Sequence, residues 1–300
     1  MTQHLLVPLD GSAFAESALA IAGTVARGSD TVIHLVHAHQ PPVVLGPLAG
    51  MAEDPRPSSD FVEQMQAYLA RVAEGLAPIP TRTYVRTGPV GEVVAEYAAR
   101  EAIDLIVVST HGRGGLGRAW LGSGTEAIIV HAPVPVLVHH PVGEDATPAI
   151  ASPAEVLVAV DRSEFSVQIL PAAAQYARAL GAALVVATVA EPILIHARVI
   201  GNPVIDIDRE GTDARIAAAE SFVNDAAADL RARGVAVTTR VLVDEQPARA
   251  ILAEAERMGA AAIAMTTHGR RAVTRLLFGS VTDKVVRATR RDVLVLRGER

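Results

Sequence analysis

The chain carries the same loop twice, and this repetition limits the folds that it can adopt. The segment 109–113 reads Ser-Thr-His-Gly-Arg, and the segment 266–270 reads Thr-Thr-His-Gly-Arg. In each copy the glycine is followed, after nine further residues, by a Gly-Ser pair, at 122–123 and at 279–280. Self-similarity at a constant spacing indicates repeated structural units. We therefore expect two copies of one fold, with function at the loop that both copies share.

The length of the chain agrees with this division. Its 300 residues suffice for two domains of about 150 residues, a common domain size. The segment 143–153 is polar, contains prolines and lacks hydrophobic periodicity, which predicts a linker. We expect one domain at 1–143 and a second at 154–300.

Short apolar runs alternate with Ala-rich helical patterns in both halves, in the order β-α-β-α-β-α-β-α-β. The run Leu-Ile-Val-Val at 105–108 is apolar at every position, which is typical of parallel strands covered on both faces. Half of the residues are hydrophobic but only 3% are aromatic, which fits Ala-rich helices packed on Val-rich strands. These patterns predict an α/β fold with a parallel sheet and helices on both of its faces.

Two long segments do not read as part of this alternation. The segment 41–59 is rich in proline and glycine, and the segment 191–212 occupies the corresponding place in the second half. Long loops in compact domains are commonly functional. We expect both segments to be mobile loops that cover the ligand edge of their own half.

Composition excludes several classes of function. The formal net charge is −6, with 27 Lys and Arg against 33 Asp and Glu, so nothing favours nucleic acid as a partner. The chain has no cysteine, which excludes disulfides, thiolate metal sites and cysteine nucleophiles. An apolar strand begins directly after residue 4, and no apolar run reaches the ~18 residues of a membrane span. We expect a soluble cytoplasmic protein with no membrane partner.

Polar residues stand where the carboxyl ends of the strands meet, which is the edge where open α/β sheets bind ligands. Asp10 follows the first predicted strand, and Asp161 follows its counterpart. The Gly-Ser pairs at 122–123 and 279–280 open predicted helices, whose first N–H groups and partial positive charge suit phosphate. An aspartate after a strand also often caps the next helix, so the two aspartates have two candidate roles.

Histidines do not form an evident catalytic or metal site. The histidine of each repeated loop has no nucleophile, acid partner or metal cluster at a telling spacing. His37 and His39 face the same way on a predicted strand, which leaves a zinc site as a minor alternative. Thr188 and Ala190 replace them in the second half. We expect neither a catalytic residue nor a resident metal.

The doubled loop resembles the universal stress protein family, whose nucleotide-binding members carry G-x2-G-x9-G-[ST] after the fourth strand. Here the register is Ser109-x2-Gly112-x9-Gly122-Ser123 and Thr266-x2-Gly269-x9-Gly279-Ser280. The resemblance extends over nearly the whole chain and includes the aspartate after the first strand and the closing Val-Leu-Val strand. It implies a tandem member with two flavodoxin- or Rossmann-like domains, each with a five-stranded parallel sheet of order 3-2-1-4-5.

The resemblance also implies a site for ATP, with or without Mg²⁺, in each half. The aspartates would contact adenosine, the end of the second strand would line the adenine pocket, and the glycines and serines would hold ribose and phosphates. The implied residues of the first half are Pro8, Asp10, Ala38, Ser109, Gly112, Gly122 and Ser123. Those of the second half are Ala159, Asp161, Val189, Thr266, Gly269, Gly279 and Ser280.

Both copies depart from the family pattern at its first glycine. Ser109 and Thr266 stand there, and their side chains would either crowd the ribose or form a hydrogen bond with it. Binding in one half, in both or in neither therefore stays open.

The function implied by the resemblance is that of an ATP-binding regulatory protein of the stress response. A nucleotide-free interaction scaffold is one alternative, and a weak ATP hydrolase or an adenylate or phosphate transferase is another. The last strand of each half, at 134–139 and 292–296, is an edge that needs a partner. In this family such strands pair between domains, so we expect an intramolecular pseudo-dimer of the two halves. A further homodimer stays open.

Overall fold

The computed structural model describes residues 3–27, 30–40, 59–110, 121–141, 154–199, 202–267 and 279–297. The chain divides into two compact units, Met1–Ala149 and Ile150–Arg300. The expected linker at 143–153 lies outside the described residues, and so does the expected loop at 41–59 except for Ser59, which begins a helix.

The first unit is an open parallel sheet with one helix in each crossover. Its elements are β1 (Gln3–Pro8), α1 (Ala13–Ala26), β2 (Thr31–His39), α2 (Ser59–Gly75), β3 (Thr81–Thr87), α3 (Val90–Arg100), β4 (Leu105–Ser109), α4 (Ser123–His131) and β5 (Val136–His139). The strand order is β3-β2-β1-β4-β5, and all of the neighbouring strands are parallel. The strand order reverses between β1 and β4, which is where sheets of this type bind ligands.

The second unit repeats this plan with additions. Its elements are β6 (Glu155–Ala159), α5 (Glu164–Val167), α6 (Leu170–Leu180), β7 (Ala183–Ala190), β8 (Ile193–Val199), β9 (Asn202–Asp208), α7 (Arg209–Ala232), β10 (Val237–Val243), α8 (Pro247–Arg257), β11 (Ala262–Thr266), α9 (Ser280–Ala288) and β12 (Asp292–Leu296). The parallel strands follow the order β10-β7-β6-β11-β12. The expected order 3-2-1-4-5 is confirmed in both units.

The expectation of a loop over 191–212 is wrong. Strands β8 and β9 form an antiparallel hairpin whose register runs from Ile193 opposite Asp208 to Val199 opposite Asn202. Isoleucine and valine recur on both arms, and β-branched residues favour strands. The backbone N–H of Ile193 donates to Thr212 Oγ1 over 3.0 Å, so the base of the hairpin is tied to α7.

Helices cover the sheet of the first unit on both faces. On β2, the side chains of His34 and His37 point to opposite faces, because strand residues alternate. His34 Nδ1 lies 2.9 Å from the hydroxyl of Tyr97 on α3, and the ring centroid of His37 lies 6.0 Å from that of Phe61 on α2. The two helices therefore belong to different layers, as right-handed crossovers require.

The apolar periodicity of the sequence accounts for the packing of the helices. On α1 the buried residues are Ala18, Ile21, Ala22, Val25 and Ala26, a stripe at the i, i+3, i+4, i+7 spacing of an amphipathic helix. The three residues at 5–7 of β1 and the first four of the five residues of β4 are buried. In the described parts of the chain, no helix is both long enough and apolar enough to cross a membrane.

Candidate functional site

Asp10 lies in a turn that joins the carboxyl end of β1 to α1. Ser12 donates to Asp10 Oδ1 from its backbone N–H over 2.9 Å and from its hydroxyl over 2.6 Å. Ser12 Oγ in turn accepts from the backbone N–H of Ala15 over 3.2 Å. Ser12 is therefore the N-cap of α1, and Asp10 shapes the turn. Asp10 is exposed and both bonds end on Oδ1, so Oδ2 is the oxygen open to a ligand.

The second unit builds the same Asp-x-Ser turn with Arg162 in place of Gly11. Ser163 donates to Asp161 Oδ1 from its N–H over 3.1 Å and from its hydroxyl over 2.5 Å. Ser163 Oγ accepts from the N–H of Ser166 over 3.1 Å. Arg162 has φ 64°, whereas the corresponding Gly11 has φ 86°. The turn is retained in the second unit although its left-handed conformation disfavours a residue with a side chain.

Ser109, which stands where the motif that the chain resembles has its first glycine, turns its side chain towards α1. Ser109 Oγ lies 2.6 Å from Ser17 Oγ. Ser17 gives its own hydroxyl proton to the carbonyl oxygen of Phe14 over 2.7 Å. Because a serine hydroxyl has one proton, Ser109 is the donor to Ser17. The hydroxyl of Ser109 is thus engaged with a helix of its own unit.

A threonine of the last helix holds the end of the fourth strand in each unit. Thr125 Oγ1 donates to the carbonyl oxygen of Ser109 over 3.1 Å, and Thr282 Oγ1 donates to the carbonyl oxygen of Thr266 over 2.7 Å. Both threonines stand three residues after the glycine of the Gly-Ser pair. Sequence reasoning missed this contact, although its signal, Gly-Ser-x-Thr, is present in both copies.

Helices α4 and α9 begin without a capping side chain. Their N-cap residues are Gly122 and Gly279, and neither helix start has a side-chain capping bond. Ser123 and Ser280, the first helical residues, are exposed. The first N–H groups of a helix have no partner within the helix, so these two ends can accept an anion.

The remaining predicted residues lie along the same strand ends. Pro8 and Ala159 end β1 and β6, and Ala38 and Val189 lie near the ends of β2 and β7. Strand β1 pairs with both β2 and β4, so the predicted residues of the first unit follow three adjacent strands. Gly112 and Gly269, with the rest of the repeated loops at 111–113 and 268–270, lie outside the described residues.

Negative charge borders the turn of Asp10. The hydroxyl of Tyr68 donates to Glu16 Oε1 over 2.8 Å. Burial raises the pKa of Tyr68, and the charges of Glu16 and Asp10 raise it further. Carboxylates accept hydrogen bonds from hydroxyl groups, so this side of the edge suits a sugar, whereas the uncapped start of α4 suits a phosphate.

The described residues contain no group of three or more His, Cys, Asp or Glu side chains placed to hold a metal ion. His37, one of the two histidines of the zinc alternative, uses its Nδ1 for the carbonyl oxygen of Leu9, 2.8 Å away. His39 packs against Phe61 with ring centroids 4.3 Å apart.

Comparison with known proteins identifies the family. The model of the "Universal stress protein family" matches residues 1–140 and 154–297. Universal stress protein Rv2005c of Mycobacterium tuberculosis is 28% identical over 311 aligned positions, which cover 98% of this chain and 97% of that protein. A universal stress protein of Thermus aquaticus is 31% identical over 146 positions, which are 46% of this chain and 98% of that protein.

A solved structure has the same fold over the same length. The crystal structure of a universal stress protein from Archaeoglobus fulgidus superimposes with a TM-score of 0.66 at 21% identity, covering 98% of both chains. The family model matches twice, once in each half, so the expectation of a tandem member is confirmed. The chain belongs to the universal stress protein family.

Proposed function

We propose that the chain is an ATP-binding regulatory protein of the stress response, with a nucleotide site at the carboxyl edge of each unit. One observation carries the proposal. In each unit, the first strand leads into the Asp-x-Ser turn. The strand beside it is followed by a helix that starts at a Gly-Ser pair without a capping side chain. An anion-binding helix end beside a carboxylate suits a ligand with a phosphate at one end and hydroxyl groups at the other.

Each proposed contact follows from the chemistry of its residue. Asp10 and Asp161 accept hydrogen bonds from the ribose hydroxyls. The main chain beside Ala38 and Val189 borders the base. Helix N–H groups and serine hydroxyls hold the phosphates, and Mg²⁺ binds as a complex with these phosphates. The proposed residues are Pro8, Asp10, Ala38, Ser109, Gly112, Gly122 and Ser123 in the first unit, and Ala159, Asp161, Val189, Thr266, Gly269, Gly279 and Ser280 in the second.

The serine at the first glycine position is compatible with a bound ribose. Ser109 donates its hydroxyl proton to Ser17 on α1, so its side chain is directed to that helix. This arrangement supports binding in the first unit despite the departure from the family pattern.

Calorimetric titration of the full chain with ATP tests the proposal. We expect two sites per chain in the wild type and one site in Asp10→Asn or Asp161→Asn. Asparagine keeps an oxygen for the serine of the turn but replaces the outer oxygen with a donor. Glu74→Gln, an exposed change at the far end of α2, serves as the charge-matched control and should leave both sites intact. Absence of binding heat, together with absence of nucleotide in the purified protein, would refute the proposal and favour the interaction scaffold.

Turnover separates a binding protein from a weak ATP hydrolase or transferase. We expect less phosphate than one equivalent per site on prolonged incubation with ATP and Mg²⁺. Sustained release beyond that amount would reassign the protein as an enzyme.

We further propose domain bounds of 1–143 and 154–300, a cytoplasmic location, and an intramolecular pseudo-dimer formed through the last strand of each domain. The chain has no cysteine, so one engineered cysteine in β5 and one in β12 would report their proximity by crosslinking. A mass of 31.4 kDa in solution would exclude a homodimer, whereas a doubled mass would indicate one.

A further inference from the structure

Two residues occupy the same position in the two units, on the strand that follows the Asp turn. Pro8 pairs with Val36 in the first unit, and Ala159 pairs with Ala187 in the second. The next residues of these strands are His37 in β2 and Thr188 in β7. Each directly precedes the residue proposed to border the base.

Both side chains are buried, and each has a polar atom without a hydrogen-bond partner among the described residues. His37 is 6% exposed and Thr188 is 2% exposed. Within the part of the chain that the structure describes, His37 Nε2 and Thr188 Oγ1 have no hydrogen-bond partner. A buried polar group without a partner destabilises a fold. His37 and Thr188 are different residue types at equivalent positions, and each has such an unpaired group. The property that they share is a side chain that can form hydrogen bonds.

The imidazole of His37 lies at the carboxyl edge of the sheet. Its Nδ1 is 2.8 Å from the carbonyl oxygen of Leu9, the residue that joins β1 to Asp10. Its ring centroid lies 6.0 Å from that of Phe61, in the first turn of α2. The ring is therefore fixed between the end of β1 and the start of α2, beside the proposed nucleotide site.

The bond to Leu9 determines what Nε2 offers to a ligand. A carbonyl oxygen only accepts hydrogen bonds, so Nδ1 carries the proton, and in the neutral ring Nε2 is an acceptor. The complement of an acceptor is an N–H or O–H group. The hydroxyl of Thr188 is less restrictive, because it both donates and accepts.

We propose that His37 and Thr188 form hydrogen bonds with the base of the bound nucleotide, and that the two units differ in their selectivity for that base. His37 selects a base with an exocyclic amino group, such as adenine, over one with a carbonyl oxygen at that position. Thr188 allows either base to bind, because its hydroxyl can donate to a carbonyl oxygen or accept from an amino group. This inference rests on the proposed nucleotide function, which it extends from a ligand class to a selection rule for each unit.

Titration of the full chain with ATP and with ITP tests the inference, since the base of ITP carries an oxygen where adenine carries the amino group. Asp161→Asn isolates the first unit, and Asp10→Asn isolates the second. We expect the first unit to bind ITP at least about tenfold more weakly than ATP, because a buried acceptor would face a carbonyl oxygen. We expect the second unit to bind the two nucleotides within about threefold of each other.

Variants of His37 separate the roles of its two ring nitrogens. In His37→Asn the amide N–H stands near the position of Nδ1, so the bond to Leu9 is retained while Nε2 is lost. The preference of the first unit for ATP should disappear. In His37→Gln an amide oxygen reaches the region of Nε2, and the preference should persist. Thr188→Val removes the hydroxyl and should weaken the binding of both ATP and ITP to the second unit. Thr83→Val, at an exposed position of β3, is the control and should change neither affinity.

The outcomes distinguish this inference from the proposed function. If neither nucleotide binds, the proposed function is refuted and the inference falls with it. If ATP binds but the first unit of the otherwise unchanged chain binds ITP equally well, the inference alone is overturned. The ATP and ITP comparison needs no change at His37, so the test stands even if a His37 variant does not fold.

Discussion

Gly91 in α3 is the place where one added methyl group tests how the first unit packs. A Cβ added to Gly91 would lie 2.7 Å from the carbonyl oxygen of Ala127 and 2.8 Å from Nδ1 of His131, both on α4. Real Cβ atoms essentially never approach other heavy atoms within 3.0 Å. The change Gly91→Ala therefore forces α3 and α4 apart by a few tenths of an ångström, at a point where one of the contacting atoms is backbone.

Two opposing effects set the size of the loss. Alanine favours a helix over glycine by about 0.5–1 kcal/mol. Overpacking a close contact costs about 1–3 kcal/mol. We expect Gly91→Ala to lower the free energy of unfolding by about 1–2 kcal/mol and the melting temperature of the first unit by about 3–6 °C.

Urea unfolding monitored by circular dichroism measures this loss, and Gly23→Ala is the matched control. Gly23 lies in α1, and a methyl group added there would have no heavy atom within 4 Å, so the same substitution should stabilise by about 0.5–1 kcal/mol. The second unit has Ala248 at the position of Gly91, so its two helices already accommodate a methyl group. If Gly91→Ala proves as stable as Gly23→Ala, the α3–α4 contact does not limit the packing, and the reasoning is refuted.

Three other changes test the fold at separate points. Arg162→Gly should stabilise the second unit by about 0.5–1 kcal/mol in urea unfolding, because φ is 64° there and glycine adopts this conformation without strain; a loss would contradict this. Leu69→Ala should lower the free energy of unfolding by about 2–5 kcal/mol, since Leu69 is the buried residue of α2 and is 0% exposed; a loss below about 1 kcal/mol would contradict the packing of α2. Burial, with the charges of His4 and Arg82, lowers the pKa of His34 from 6.5 to about 4 although Glu101 opposes this, so the unfolded chain takes up a proton that the folded chain does not, and stability should fall from pH 6.5 to pH 4. His34→Gln should flatten that decline, and an unchanged profile would contradict the assignment.

The repeated alternation of strands and helices made the fold predictable. Continuous apolar runs such as 105–108 identified parallel strands, and the Gly-Ser pairs marked helix starts within one residue of their positions in the structure. These signals are local, since they depend on periodicity and on capping chemistry within a few residues.

The hairpin of β8 and β9 was not predictable in the same way. Gly201 and Pro203 stand near the middle of this segment, and both residues are typical of loops. Ile193 pairs with Asp208, and these residues lie at opposite ends of the segment. No pattern within a few residues predicts that pairing. Antiparallel pairing outweighed the local loop signals here.

The contacts at the site were hidden for another reason. Ser17 and Ser109 stand 92 residues apart in the chain, and no local pattern relates them. The positions of Asp10 and Asp161 at the strand ends followed from the sequence, whereas the direction of the Ser109 side chain needed the tertiary structure. The ligand roles of these residues stay predictions until nucleotide is titrated.

The threonine that joins the last helix to the fourth strand has a mechanical consequence. Thr125 connects α4 to the carbonyl of Ser109, and the hydroxyl of Ser109 connects to Ser17 on α1. Two hydrogen bonds therefore link two helices that lie on opposite faces of the sheet. We expect a movement at the start of α4 to be transmitted to α1 through the strand end, so that occupancy at one point of the edge changes the shape of the surface on both sides of the sheet.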